Sequence, residues 1–230
     1  MTEITEKIRS RGHWDIVIRP ATFLDDRLPY EELDEILSPI QVRMRGWPVP
    51  YVDHDRKELM RGEDWVGQDI DASVVDMFEA WRFFMSGQFT HLRAISADWR
   101  EGSDRTRIPQ GVDSVIEIWE IVFYLTEIFE LAARLALGPA GDETMVVSVT
   151  LNGLAGRGLV VGQANRVEFF QPRLSHVESF SRDVELSREK LVGEGRVAAL
   201  ETAREFLLRF GWKPSLDQLL NHQRELTESG

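Results

Sequence analysis

The sequence predicts an α+β fold: a mixed sheet packed against a long central helix, with a helical C-terminal region. Three observations predict it. Alternating and 3.6-residue apolar patterns are both present, yet they do not recur as an ordered strand–helix–strand repeat. One stretch, Val112 to Gly138, carries apolar residues over far more than a narrow stripe. After the last strand pattern the chain closes with successive helical patterns. The expected organisation is an α+β domain over residues 1–180, with its central helix at 113–137, and a helical extension over 181–230 packed on it.

Taken in order, residues 3–11 read as a short helix ended near Gly12. WDIVIRP reads as a strand with Trp14, Ile16 and Ile18 on one face, stopped at Pro20. YEELDEILSPI turns Leu33, Ile36 and Leu37 inward as a helix closed by Pro39. QVRMRGW alternates Val42 and Met44 with Arg43 and Arg45, a strand pattern, and WVGQDIDA is a second strand. DMFEAWRFFMSG places Phe78, Trp81, Phe84 and Met85 near helical spacing with Gly87 as a stop, which predicts a helix. FTHLRAISADW alternates with apolar groups on both faces, the mark of a central strand.

The long helix, capped by Asp113 or Ser114 and closed by Gly138, would run roughly 36–39 Å. Glu117, Glu120, Glu127 and Glu130 interrupt its apolar surface, which rules out a membrane span. Its width predicts a core helix with one flank available to an oligomer interface. MVVSVTLNGLAGRGLVV and RVEFFQP read as strands joined by glycine-rich turns. SRDVELSREKL, GRVAALETAREFLLRF and SLDQLLNHQREL read as helices.

The composition narrows the function classes. There is no cysteine, so disulfides, thiolate catalysis and Cys-containing zinc sites are excluded. The net charge is −12, with 13 basic and 19 acidic side chains in residues 1–100 and 14 and 20 in residues 101–230. Neither half is a basic module, which disfavours long-range attraction to a phosphate backbone. The charged N-terminal residues stand where a signal peptide needs apolar ones. A cytoplasmic protein with no membrane association is expected.

The densest chemistry lies between Arg45 and Trp65. Asp53, His54 and Asp55 are the candidate catalytic residues, since His and carboxylates bind divalent metals or move protons. Completing such a site requires a distant group, with His91, Asp98 or Glu127 as candidates. Arg43, Arg45, Arg56 and Arg61, with Trp47, are candidates for binding an anion or a partner, because arginine clamps oxyanions and exposed aromatics offer stacking surfaces. Asp53, Asp55, Glu58, Glu63 and Asp64 lie among them and can neutralise them, so the stretch also reads as an ordered connection packed by its tryptophans.

Other patterns are less specific. His91 reads as a satisfied histidine. Glu120, Glu127 and Glu130 lack the Glu-x-x-His companion of bundle metal sites and read as a solvated helix face paired with Arg134 or strand arginines. NGLAGRGL lacks the helix start that a phosphate loop needs, and reads as a hairpin turn. Ser175-His176 lacks a nucleophile elbow.

Two classes of function follow. A non-enzymatic interaction or assembly protein, self-associating or a subunit of a larger system, accords with the aromatic content and the absence of a specific catalytic motif. A metal-dependent enzyme acting on a phosphate-containing substrate or nucleotide would need Arg43, Arg45, His54 and a remote carboxylate around one pocket. A nucleic-acid regulator would need a continuous positive surface, which the charge does not favour.

Overall fold

Trp14, Ile16 and Ile18 alternate with Asp15, Val17 and Arg19, and this pattern fixes the first strand, β1 (His13–Pro20), with the former three buried. It lies within a seven-stranded sheet in the computed structural model, which describes residues 2–53, 59–100, 108–162 and 168–228. The other strands are β2 (Met60–Arg61), β3 (Trp65–Ala72), β4 (Met77–Phe84), β5 (Phe89–Ala94), β7 (Thr144–Asn152) and β10 (Ser179–Ser187), in the order β10-β7-β1-β5-β4-β3-β2. Every pairing in this sheet is antiparallel. A small sheet joins β6 (Val115–Glu117), β8 (Gly158–Val160) and β9 (Arg173–Leu174), and it holds the parallel pairing, β6 with β8.

The α+β class and the long central helix are as the sequence predicts. The helices are α1 (Glu3–Arg9), α2 (Leu33–Ile40), α3 (Ile118–Leu137), α4 (Arg188–Leu208) and α5 (Leu216–Glu228). Trp14 of β1 sits between Tyr124 of α3 and Phe206 of α4, with ring centroids 5.4 and 5.6 Å away. Ile121, Leu125, Ile128, Phe129 and Ala132 of α3 are fully buried. The wide apolar surface of α3 is therefore covered within the chain, by the sheet, α4 and α5. On the other face of the sheet, α1 closes a second small core of Ile8, Phe78, Ala80, Leu92 and Ala94. Among the described residues no helix is long and apolar enough to cross a membrane.

Several elements differ from expectation. Residues 77–84 are strand β4, not a helix. Glu79, Trp81 and Phe83 face α3, while Phe78 and Ala80 face α1, so both sides are buried. A strand covered on both faces has no polar side to reveal its period. Gly87 (φ +81°) turns the β4–β5 hairpin instead of ending a helix. Residues 181–187 are strand, not helix: Ser179–Ser187 pairs along its length with β7, and the helix starts at Arg188. Residues 115–117 belong to β6, so α3 begins at Ile118 and not at 113. Over 41–47 the expected strand is reduced to one bridge, Val42 with Val49. In RVEFFQP, residues 168–172 form no strand.

Candidate functional site

Arg45 to Tyr51 closes over the inner face of β4, beside α3. Arg45 donates to both carboxylate oxygens of Glu127, at 2.8 Å from Nε to Oε1 and through Nη2 to Oε2. Its guanidinium lies over Trp119 and Phe123, 5.9 and 5.8 Å from the ring centroids. Trp47 stacks on Tyr51 at 4.3 Å and donates through Nε1 to Glu79 Oε2 at 3.3 Å. The Tyr51 amide donates to Glu79 Oε1 at 2.7 Å, and its carbonyl accepts from Trp81 Nε1 at 2.8 Å.

The other candidates go elsewhere. Arg43 donates to Gln41 Oε1 at 3.2 Å. Asp53 exchanges two 2.9 Å backbone bonds with the Gln68 side chain. Arg61 pairs with Asp34. His54, Asp55 and Arg56 lie outside the described residues. Of the distant groups considered for an Asp53 site, Glu127 holds Arg45, Asp98 holds Arg157, and His91 lies in an interior array. Among the described residues no three His, Asp or Glu side chains are clustered so as to hold a metal ion.

That array is built by register. β5 points His91 and Arg93 inward, β4 sets Trp81 opposite His91 and Glu79 opposite Arg93, and α3 supplies Glu120 and Tyr124. His91 Nε2 stands 3.4 Å from Glu79 Oε2, and His91 Nδ1 is 3.0 Å from the Tyr124 hydroxyl. The Arg93 guanidinium lies 4.7 Å from the centre of the Tyr124 ring. Burial alone would raise the Glu79 carboxyl; His91 and Arg93 together outweigh it and hold the group below its ordinary value. Burial pushes the Tyr124 phenol up. Glu120 is pushed up to about 7 by burial, against the pull of Arg93 and with the help of Glu117.

Glu120 and Glu127 are thus interior groups, not part of a solvated helix face as the sequence suggests, whereas Glu130 does pair with Arg134. Glu79, His91 and Tyr124 are fully buried under the Trp47–Tyr51 stack. The three form an acid–histidine–phenol file, hydrogen-bonded between His91 and Tyr124 and held by charge between His91 and Glu79, but a substrate has no access to it in this conformation. Its chemical effect is to satisfy charges that would otherwise be costly to bury, and so to fix the sheet on α3. Glu79 and Tyr124 are not singled out by the sequence patterns. The available signal is an acid alternating with Trp81 and Phe83 inside an apolar run.

At the surface, a different feature stands out. The loop after β1 exposes Phe23 (71%) and Leu24 (51%), and the end of α3 exposes Leu137 (67%). The two segments are tied together: Arg27 donates to Gly141 O at 2.9 Å, and Thr22 N to Asp142 Oδ2 at 3.2 Å. Asp25 and Asp26, both exposed, follow Leu24, whereas Glu31, Glu32, Asp34 and Glu35 lie further along the chain, where Tyr30 and Asp34 bond to Gly62 and Arg61 beside β2. Arg27 turns onto Gly141, Thr22 and Asp142. No protein-family model, curated protein or solved structure matches the chain.

Proposed function

We propose that the chain is a non-enzymatic interaction protein that docks a basic partner on the surface formed by residues 22–27 and the end of α3. The observation that carries this reading is the exposure of Phe23, Leu24 and Leu137 on two tied segments, beside Asp25, Asp26 and Asp142. Large exposed apolar side chains rimmed by charge are characteristic of interaction sites, where apolar anchors supply affinity and the rim selects the partner. Self-association through this surface would set acid against acid, so the partner is another protein with a positive face. The net charge of −12 favours encounter with it.

A photo-reactive residue at position 23 or 137, introduced in cells, tests the reading, with position 194 on exposed α4 as control. The expected result is one discrete adduct from 23 and 137 and none from 194, with lysine and arginine around the cross-linked site of the partner. An acidic partner, or equal labelling from 194, contradicts it.

A further inference from the structure

At one end of the sheet, between the C-terminus of α1, the start of β1 and the turn after β5, lies a cleft of about 850 Å³. Arg9, Arg11, Arg100, Arg157 and His13 line it, against Asp98 and Asp113. Among the described residues its lining carries four arginines and two aspartates, with Asp15 and Glu117 just beyond pairing Arg9 and Arg100.

The floor is built rigidly. Arg157, from the glycine-rich loop after β7, is buried and donates to both oxygens of Asp98 at 2.7 Å, to Val115 O at 2.7 Å and to Gly153 O at 2.8 Å. Asp98 Oδ2 also accepts the Gly12 amide at 3.0 Å. A Cβ on Gly12 would lie 2.2 Å from Arg157 Nη2, and one on Gly153 (φ +70°) would lie 2.9 Å from Gly12 Cα. Gly12 and Gly153 are thus required by the close approach of their own backbones. This lets two backbone segments meet, and the loop after β7 delivers Arg157.

The Asp98 carboxylate is occupied by this floor, and what remains over it is donor-rich. Arg11 lies flat on Trp99 at 4.0 Å and reaches Asp98 O, while Arg9 is half exposed, 3.6 Å from Asp15. The Trp99 indole N–H is buried without an acceptor among the described residues. With no accessible surface of its own, it senses the cleft through the ring that Arg11 covers and does not itself reach a ligand. Arg100, whose Nη1 donates to both oxygens of Glu117 at 3.0 Å, closes the inner wall.

We infer that this cleft binds a small molecule through an oxyanion group, phosphate or carboxylate, with Arg9 and Arg11 as the clamp beside the Trp99 ring. The volume suits a ligand up to the size of a mononucleotide. The site is independent of the partner surface proposed above.

The test follows the Trp99 indole N–H resonance of the ¹⁵N-labelled full chain, assigned with Trp99→Phe. Inorganic phosphate, citrate and AMP are titrated separately at constant ionic strength, with sodium chloride as control. A saturable shift with at least one oxyanion is expected, weakened at least tenfold in Arg9→Ala/Arg11→Ala; saturation by phosphate and AMP or by citrate alone tells which oxyanion is bound. Arg9→Glu alone, at an exposed position, should weaken it in the same direction with the fold intact. The inference is overturned if no oxyanion saturates, if chloride shifts the resonance equally, or if both variants bind like the wild type.

Discussion

Glu120 gives the interior array a measurable signature. Its ordinary value is 4.5, and burial pushes it up to about 7 in the folded chain. Between those values the folded state binds more protons than the unfolded one, so stability falls as pH rises through this window. Glu120→Gln keeps an acceptor for the Ser96 amide, now 3.3 Å from Oε1, and removes the charge. The variant should match wild type below about pH 4.5 and be more stable at pH 8 by about 3 kcal/mol. Denaturant unfolding from pH 4 to 8 checks this; parallel profiles would show that the carboxyl is not held neutral. Little of this residue-scale chemistry is legible in sequence. Arg45 and Trp47 draw notice because charge and aromatics crowd there, but their acceptors, Glu127 and Glu79, are distant in the chain. The Glu79–His91–Tyr124 file exists only once β4, β5 and α3 have been brought together.

The junction between β10 and α4 shows how elements are decided locally. Phe180, Val184 and Leu186 alternate with Ser181, Asp183 and Glu185, a strand pattern; the same residues fit one helical face loosely enough to suggest a helix from 181. The structure turns the chain at Ser187, whose Oγ accepts from Lys190 N at 3.3 Å as the N-cap of α4. Ser187→Ala should cost about 1 kcal/mol and lower Tm by about 2–4 °C. No change in Tm would mean that water or a neighbour replaces the cap. β1, β3 and α2 are readable because one face of each is polar. β4 is not, because its outer face is covered by α1, a contact that no local pattern announces.

At the scale of the whole molecule, the order of patterns announces the α+β class, and the charge of −12 argues against a phosphate backbone as partner. The breadth of α3 suggests an interface, but the chain covers that surface itself with α4 and α5. The interaction reading therefore rests on Phe23, Leu24, Leu137 and the acids beside them. That surface is silent in sequence, because exposure is a property of the folded chain. Self-pairing through the β10 edge is disfavoured by the same charge: an antiparallel dimer centred on Asp183 or Val184 sets Asp183 against itself or against Glu185.

The most direct measurement is the affinity of the purified, cross-linked partner for the wild-type chain and for Asp25→Lys/Asp26→Lys, two exposed positions whose reversal leaves the core untouched. The partner should bind the variant about tenfold or more weakly, a loss of about 1.4 kcal/mol or more. An affinity equal to or tighter than wild type would contradict an acidic docking surface for a basic partner.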